Sequence, residues 1–393
     1  MQQLSVAVIG AGMAGRTHAN AWRQAATIYH APFPHVRLAT IADAYKPFAQ
    51  SAAKDYGFEH ATDNWRDIVE DPSIDIVSIV VANKLHREMA QALIEAGKHV
   101  LCEKPLTDTL EDAKAMAQLE AEADVVTGLG YTYRRNPGIS QIARMVKNGD
   151  FGTINHFDAR YWCDYGADPK TPIAWRYTGP MGSGALGDVG SHLIDTAEYV
   201  MGPIRSVSGA RLTTVISERP QMDGVVAGGR GVSVDGPAKM SAVTNDDVAT
   251  FTAEFENGVS GKFSCSRVAF GYPNALMFNV IGTQATAGFD MARAGEITVD
   301  DQSGPEHLRG QRRVLVNPEF PYFKDGSSMA FAGVGFTQID QFTIQAHAFI
   351  QQVLGIDDGL PKLPSFAHGY RSMRIQQAIA RSAADGGTSV TIE

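Results

Sequence analysis

The segment LGDVGSHLID, from Leu186 to Asp195, places a carboxylate and an imidazole four residues apart. On an α-helix, Asp188 and His192 would share one face, with Asp195 three residues further on. Imidazole titrates near neutral pH, so the pair is suited to proton transfer. The same pattern also suits a structural helix pair, or a zinc site, although no third and fourth ligand stand at useful spacing. The segment alone leaves these alternatives open.

A second candidate is Lys104 in the segment LCEKPL, where it follows Glu103 and precedes Pro105. The segment ends a short predicted strand, and ligands bind beyond the carboxyl ends of parallel strands. Proline restricts its own backbone and holds the preceding residue extended. A solvated loop lysine is the alternative, since most lysines are exposed.

The segment GAGMAG matches the GxGxxG fingerprint with Gly10, Gly12 and Gly15, between a predicted strand and a predicted helix. The first glycine permits the turn, the second lets the backbone approach a pyrophosphate, and the third lets helix and strand pack closely. Met13 and Ala14 begin the helix, whose amides and dipole favour phosphate. The motif therefore predicts dinucleotide binding.

Asp43 ends the second predicted strand, where a carboxylate would accept hydrogen bonds from the adenosine ribose. It lies further from the glycines than usual, which an insertion at residues 28–36 explains. An acid at this position repels a 2′-phosphate, and the next residue is Ala44 rather than arginine. We therefore expect NAD to be preferred over NADP. A plain turn aspartate is the alternative.

The first third of the chain alternates short apolar runs with helical segments, which predicts a parallel sheet with right-handed crossovers. Its strands are predicted at residues 4–10, 36–43, 74–82 and 124–131, with a further short strand between Gly97 and Pro105. Later runs alternate with period two and turn at Asn257–Gly258 and at Gly282, which predicts antiparallel strand pairs. The glycine- and proline-rich residues 218–241 are predicted to be a surface loop.

Composition narrows the class of protein. The 393 residues predict two domains, and the hydrophobic share of 44% and charged share of 20% are those of an ordinary globular protein. The net charge of −9, without a basic run, argues against nucleic acid as a partner. No apolar stretch approaches the roughly 20 residues that span a bilayer, and the N-terminus does not resemble a signal peptide. Three cysteines without a CxxC argue against disulfides and a cysteine-bound metal, and we expect a cytoplasmic protein.

The segments GAGMAG, VVANKLHREMA, CEKPL and GALGDVGSHLIDTAEYVMG occur in this order, and together they resemble the Gfo/Idh/MocA family. The resemblance implies an α/β protein. It has an N-terminal Rossmann domain, here residues 1–129, and a C-terminal α+β domain, residues 130–393, with an open, predominantly antiparallel sheet. It also implies NAD(P)-dependent redox chemistry on sugars, polyols or related hydroxy compounds.

The resemblance assigns roles to individual residues. The lysine of the E-K-P motif falls on Lys104, and the helix aspartate and histidine fall on Asp188 and His192. On the cofactor side it implies Ala82, Asn83, His86, Glu103, Lys104 and Arg134. Two positions depart from the family pattern, since Ala82 stands where proline is frequent and Thr132 where asparagine is common.

Substrate contacts are expected from aromatic residues. Tyr161 and Trp162 lie on a predicted strand and could stack on a sugar ring, although aromatics at strand spacing are also typical of a core. Trp175 and Arg176 come just before the helix of the Asp–His pair, and Tyr131 ends the last predicted strand of the first domain. The glycines of GSGALGDVG would let that helix begin close to the cofactor.

Oxidation of a secondary alcohol needs a hydride acceptor, a base and a positive group near the developing alkoxide. NAD would supply the first, His192 the second and Lys104 the third, while Asp188 would bind the hydroxyl or orient the imidazole. We expect a dehydrogenase of a cyclic sugar, anhydrosugar or inositol that binds no metal. The alternatives are an NAD-dependent glycoside-cleaving enzyme and a non-catalytic NAD-binding regulator. An antiparallel sheet with one uncovered face predicts a homodimer or homotetramer.

Overall fold

The computed structural model describes residues 3–28, 33, 35–222, 232–323 and 329–393. The helices are α1 (Met13–Ala25), α2 (Lys46–Tyr56), α3 (Arg66–Glu70), α4 (His86–Glu95), α5 (Leu110–Glu122), α6 (Pro137–Asn148), α7 (Ser191–Met201), α8 (Gln338–Val353) and α9 (Phe366–Ala384). The strands are β1 (Leu4–Ile9), β2 (Val36–Ala42), β3 (His60–Thr62), β4 (Ile76–Ile79), β5 (His99–Cys102), β6 (Thr127–Leu129), β7 (Ile154–Trp162), β8 (Ile204–Thr213), β9 (Glu218–Pro220), β10 (Met240–Ala242), β11 (Val248–Phe255), β12 (Ser260–Ser266), β13 (Ala275–Gly282), β14 (Thr286–Asp290), β15 (Glu296–Asp300), β16 (Arg312–Leu315) and β17 (Val390–Thr391).

The chain divides into two units, one of residues 1–137 and 316–373, the other of residues 138–315 and 374–393. The division expected from the sequence, after residue 129, lies close to the first of these boundaries. It placed residues 316–373 in the second domain, and the structure differs there. The reason is packing, because α8 buries Phe349 in the same apolar cluster as Trp22 of α1, with the two ring centroids 6.2 Å apart.

The first unit contains a six-stranded sheet in the order β3-β2-β1-β4-β5-β6, in which every pair is parallel. This confirms the predicted Rossmann sheet. The strands are apolar runs buried on both faces, as parallel strands covered by helices must be. The central strands β1 and β4 pair from Val6 with Ile76 to Ile9 with Ile79, which brings their carboxyl ends to one edge. The glycine-rich turn and the segment after β4 both leave from this edge.

The second unit contains a nine-stranded sheet in the order β16-β15-β14-β13-β7-β12-β11-β8-β17. Its pairs are antiparallel except for β7 with β12, so the expected mostly antiparallel sheet is confirmed. The hairpin at Asn257–Gly258 and the turn that begins at Gly282 are confirmed as well. Burial alternates along β7, with Phe157, Ala159 and Tyr161 on the buried face.

The loop within the glycine- and proline-rich segment is shorter than the sequence predicts. Strands β9 and β10 pair antiparallel near its two ends, while residues 223–231 lie outside the described part of the chain. Most of the insertion at residues 28–36 also lies outside it. Among the described residues, no helix combines the length and the apolar character needed to cross a membrane.

Candidate active site

The three glycines of the turn between β1 and α1 differ in what surrounds them. Gly10 has φ +107°, and a Cβ added there would lie 2.0 Å from the carbonyl oxygen of Val80. A Cβ on Gly15 would lie 1.8 Å from the carbonyl oxygen of Gly10, whereas a Cβ on Gly12 would meet no protein atom within 4 Å. Protein packing therefore requires glycine at the first and third positions. At Gly12 the backbone is open to approach by a pyrophosphate, so the turn fits a dinucleotide.

The loop also presents the start of a helix. Met13 and Ala14 begin α1, and Met13 is 75% exposed. A helix N-terminus carries backbone amides without intrahelical partners and a partial positive charge, both of which favour phosphate.

Asp43 belongs to the glycine-rich turn through hydrogen bonds. Its Oδ2 accepts from the Ala11 amide at 2.8 Å, and its Oδ1 accepts from the Tyr45 amide at 2.9 Å. A carboxylate has about four acceptor positions, so both oxygens can accept further bonds from ribose hydroxyls. Asp43 therefore joins the end of β2 to the turn and can still bind a ligand.

Glu103 and Lys104 follow β5, and the Lys104–Pro105 peptide is cis. The Glu103 carboxylate accepts from the Lys104 amide at 3.0 Å, and its other oxygen lies 3.0 Å from Nε2 of His18. His18 lies on α1 and is buried, and sequence reasoning missed it. It ties the E-K-P segment to the helix that follows the glycine-rich turn.

Two of the residues expected near the cofactor follow β4, and a third is buried beneath them. Ala82 is exposed and precedes a short 3-10 turn that begins at Asn83, so both lie at the sheet edge. His86 is fully buried, with Nδ1 3.0 Å from the Leu106 carbonyl and Nε2 3.2 Å from the Val81 carbonyl. Burial lowers its pKa. The expectation of a cofactor contact is therefore corrected, because His86 connects two loops from inside the core.

Tyr131 and Arg134 are also buried. Tyr131 is 1% exposed within an apolar cluster of the first unit, and its hydroxyl donates to Ser372 at 3.0 Å. Arg134 is 8% exposed in a 3-10 turn at residues 132–135. The structure thus gives Tyr131 a packing role rather than the expected substrate contact, and it places Arg134 largely out of solvent.

In the second unit, Asp188 and His192 lie on consecutive turns of different geometry. Asp188 belongs to a π-helical turn, Leu186–Gly190, and His192 to the first turn of α7. The sequence suggested a regular α-helix here, and the structure corrects this. Wider π turns recur at functional sites.

A cluster of polar side chains surrounds the Asp188 carboxylate. The Tyr165 hydroxyl donates to Asp188 Oδ2 at 2.7 Å, and Nε of Arg176 lies 3.9 Å from the same oxygen. The side chains of Arg176 and Asp188 are 22% and 21% exposed, so a ligand in solution can reach both. The Arg176 guanidinium also stacks on Trp175, 4.2 Å from the ring centroid. Trp175 is more than half exposed.

The two aromatic residues at the end of β7 point to opposite faces of the sheet. Tyr161 is buried, its ring centroid lies 6.2 Å from that of His192, and its hydroxyl donates to Asn274 at 2.7 Å. Trp162 donates from Nε1 to Ser264 at 3.0 Å. Successive strand residues alternate in direction, so one substrate cannot stack on both rings. The structure brings Tyr161 to His192 and corrects the pairing with Trp162.

Asp246 holds the segment that leads into the π turn. Its Oδ1 accepts from the amides of Gly182 and Gly184 at 2.8 and 3.0 Å, and its Oδ2 accepts from the Leu186 amide at 2.8 Å. A Cβ on Gly184 would lie 2.0 Å from the carbonyl oxygen of Asp246. The glycine at 184 is therefore required by this close approach within the second unit. The expected reason for glycine here, close approach of the helix start to the cofactor, is not needed to explain it.

A buried ion pair lies next to this carboxylate. Arg267 and Asp247 are fully buried, and Nε donates to the carboxylate at 2.8 Å. Arg267 also donates to the carbonyl of Arg176 at 2.6 Å and lies over the ring of Tyr177. Burial raises the pKa of Tyr177. This network fixes the main chain that carries Arg176.

Within the described ranges, no group of three or more His, Cys, Asp or Glu side chains could hold a metal ion. Sequence reasoning missed His18, Tyr165 and Asp246. The partners of all three lie at least 23 residues away in the chain, so no local pattern shows them.

Comparisons with known proteins agree with this architecture. Residues 4–131 match the GFO_IDH_MocA family, described as an oxidoreductase family with an NAD-binding Rossmann fold, and residues 139–288 match the GFO/IDH/MocA C-terminal domain. Levoglucosan dehydrogenase of Pseudarthrobacter phenanthrenivorans is 36% identical over 386 residues, which cover 98% of this chain and 97% of that protein. The scyllo-inositol 2-dehydrogenase (NAD(+)) of Bacillus subtilis is 28% identical over 302 residues, 77% of this chain and 78% of that protein.

Solved structures give the same result. A levoglucosan dehydrogenase in complex with NADH and levoglucosan superposes with a TM-score of 0.89 at 33% identity, covering 100% of both chains. An NAD-binding oxidoreductase from Klebsiella pneumoniae has a TM-score of 0.89 at 31% identity, also over 100% of both chains.

Proposed function

The chain belongs to the GFO/IDH/MocA family of oxidoreductases, and from that premise we propose that it oxidises a secondary ring hydroxyl of an anhydrosugar of the levoglucosan type to a ketone. It is an NAD-dependent dehydrogenase of cyclic sugars or polyols. The observation that carries the finer proposal is the similarity to levoglucosan dehydrogenase, 36% identity along 98% of the chain.

In the second unit, we assign the base to His192 and substrate binding to Asp188. A neutral imidazole accepts the hydroxyl proton, and NAD, when bound, accepts the hydride. One oxygen of Asp188 accepts from Tyr165, and a carboxylate can accept several hydrogen bonds, which suits it to bind a sugar hydroxyl. The exposed ring of Trp175 and the stacked Arg176 offer a surface for the sugar.

In the first unit, we assign Lys104 to stabilising the alkoxide. An ammonium donor aimed at the oxygen that gains negative charge lowers the barrier. We expect Lys104→Met to bind NADH normally and to lose about 10²- to 10³-fold in kcat, the effect of removing one such donor. Turnover near that of wild type would remove Lys104 from the reaction.

We also propose that NAD is preferred over NADP. The support is Asp43, whose carboxylate is held at the glycine-rich turn by the amides of Ala11 and Tyr45. A 2′-phosphate there would meet a fixed negative charge, while ribose hydroxyls would find an acceptor.

The experiment is a screen at the NADH absorbance band with levoglucosan, inositols and simple hexoses, in the presence of NAD. We expect NADH to accumulate in proportion to an anhydrosugar. A glycoside-cleaving enzyme would release an aglycone with no net NADH, and a regulator would bind NAD and reduce nothing. Either result would contradict the proposal.

A second measurement tests the base. The kcat/KM for oxidation should fall as the pH drops through the pKa of His192, and His192→Asn should lose this acidic limb together with most of the rate. A mutant that keeps both the limb and the rate would show that another group takes the proton. Asn preserves a polar side chain of similar size, so little change in packing is expected. NADH affinity serves as the control for folding.

Two further expectations complete the proposal. We propose that one face of the nine-stranded sheet binds a second copy of the chain, as a dimer or tetramer. Light scattering of the purified protein tests this, and a monomeric mass would contradict it.

A cytoplasmic location stays a prediction from the sequence, to be tested by cell fractionation.

A further inference from the structure

We propose that His18 is a positioning residue that fixes the E-K-P turn through Glu103. The Lys104 side chain then extends from a main chain that is held in one position. The inference rests on the role proposed above for Lys104. His18 and Glu103 are 85 positions apart in the chain and belong to the same unit.

A continuous series of hydrogen bonds supports this role. Trp22 donates from Nε1 to Ser78 Oγ at 2.8 Å, and this Oγ lies 3.2 Å from Nδ1 of His18. Nε2 of His18 lies 3.0 Å from Glu103 Oε1, and Glu103 Oε2 accepts the Lys104 amide at 3.0 Å. The series begins in the core of the unit and ends on the main chain of Lys104.

One arrangement of protons satisfies every bond when the ring is neutral. Indole can only donate, so the Ser78 oxygen accepts from Trp22 and its hydrogen is available to Nδ1 of His18. An ionised carboxylate can only accept, so Nε2 of His18 carries the proton and donates to Glu103. The ring therefore acts as a rigid connector with a defined donor side and a defined acceptor side.

Burial makes these bonds costly to break. His18 is 2% exposed, Ser78 and Trp22 are 0% exposed, and the Glu103 side chain is 13% exposed. The ring of Phe342 packs edge-on against His18, with centroids 5.5 Å apart, which restricts rotation of the imidazole. A buried polar group that loses its partner pays a desolvation penalty, so the arrangement favours a single position for the Glu103 carboxylate.

Gly130 provides an independent observation on the same carboxylate. A Cβ on Gly130 would lie 2.5 Å from Glu103 Oε1 and 3.3 Å from Glu103 Cα. The absence of a side chain at 130 is therefore what lets Glu103 reach His18. Gly130→Ala should displace the carboxylate while leaving His18 in place, and so should reproduce the effect of losing His18.

The kinetic experiment compares His18→Leu, His18→Gln and Gly130→Ala in the full-length protein. The amide of Gln can replace the donor at Nε2, so His18→Gln should retain most of the turnover. We expect His18→Leu and Gly130→Ala to lower kcat by up to about 10²-fold, the cost of misplacing a reacting group by about 1 Å. An equal loss in His18→Gln and His18→Leu would overturn the hydrogen bond as the cause.

His347→Leu is the matched control. His347 is also buried in the first unit, at 4% exposure, and its Nδ1 lies 2.8 Å from the Ala25 carbonyl at the end of α1. Its replacement removes a buried histidine whose Nδ1 bonds to the main chain at the end of α1. We expect a lower melting temperature with kcat kept. A loss of kcat as large as in His18→Leu would show a general effect of destabilisation and overturn the proposal.

A double-mutant cycle with Lys104→Met tests whether His18 acts through the lysine. If it does, His18→Leu should have little further effect on kcat once the lysine is gone. Losses that multiply would show that His18 acts by another route, which overturns the proposal.

Hydrogen exchange separates this inference from the proposed function. The Lys104 amide should exchange faster in His18→Leu than in wild type or in His347→Leu, because Glu103 is no longer held against it. If Lys104→Met retains wild-type turnover, the proposed role of the lysine fails, while faster exchange still supports positioning of the turn. Unchanged exchange in His18→Leu overturns the positioning whatever the kinetics show.

Discussion

Asp246→Asn tests how the helix of the Asp188–His192 pair is held. An asparagine oxygen in the place of Oδ1 keeps the bonds from Gly182 and Gly184, but its NH2 group then faces the Leu186 amide, which is also a donor. The substitution changes almost no volume. It therefore removes one bond to a charged group and leaves a buried donor without an acceptor.

The expected cost follows from these contacts. A hydrogen bond to a charged group contributes about 1.5–3 kcal/mol, so we expect the free energy of unfolding to fall by about 2–3 kcal/mol. For a unit of this size each kcal/mol moves the melting temperature by roughly 2–4 °C, so the transition should drop by roughly 4–12 °C. The segment that carries Asp188 also becomes less fixed, and kcat should fall by up to about 10²-fold, because small displacements at a reacting centre have that effect.

The assay is differential scanning calorimetry together with steady-state oxidation of the substrate found in the screen. Asp235→Asn is the matched control, since Asp235 lies in the same unit, its side chain is 83% exposed, and it pairs with an exposed Lys170. Surface ion pairs contribute about 0–1 kcal/mol, so the control should melt and turn over much as wild type does. If Asp246→Asn also behaves as wild type, Asp246 does not hold the helix, and the reasoning from its three amide contacts is refuted.

Three other outcomes are expected. Asp43→Ser with Ala44→Arg should shift the ratio of NAD to NADP affinity toward NADP in fluorescence titrations, and an unchanged ratio would remove Asp43 from the ribose site. Tyr165→Phe should lower kcat/KM for the sugar roughly 10- to 100-fold, the loss of one hydrogen bond to a carboxylate, and leave NADH affinity intact; weakened NADH binding would point to a fold effect instead. The Nδ1 of His99 accepts from the Val126 amide, and burial lowers the pKa of His99. The neutral imidazole therefore contributes to the free energy of unfolding above the ordinary pKa near 6.5, and this contribution is lost as the pH falls below it. The melting temperature should therefore drop from pH 7 to pH 5, and less so in His99→Asn, whose amide oxygen can still accept; equal slopes would contradict this.

Elements with local signals could be predicted from the sequence. The apolar runs of β1, β2 and β4, the glycine-rich turn and the hairpin at Asn257–Gly258 were all predicted within a few residues, because side-chain period and glycine conformation act over short distances. Short elements with weak periodicity, such as β3 and α3, went unpredicted. The residue types of the E-K-P segment and of the Asp188–His192 pair were likewise visible in the sequence.

Which side chains meet depends on the folded arrangement of the chain. In the folded chain α8 packs against α1, and His18 pairs with Glu103. Tyr165 donates to Asp188, and Asp246 accepts from the Leu186 amide at the start of the π turn. The fold also buries His86 and Tyr131, which the sequence had placed near ligands. Such outcomes depend on apolar burial and on the need of every buried polar group for a partner, and both are settled among residues far apart in the chain. A local pattern can therefore show what chemistry is available, but long-range packing determines which groups are positioned to perform it.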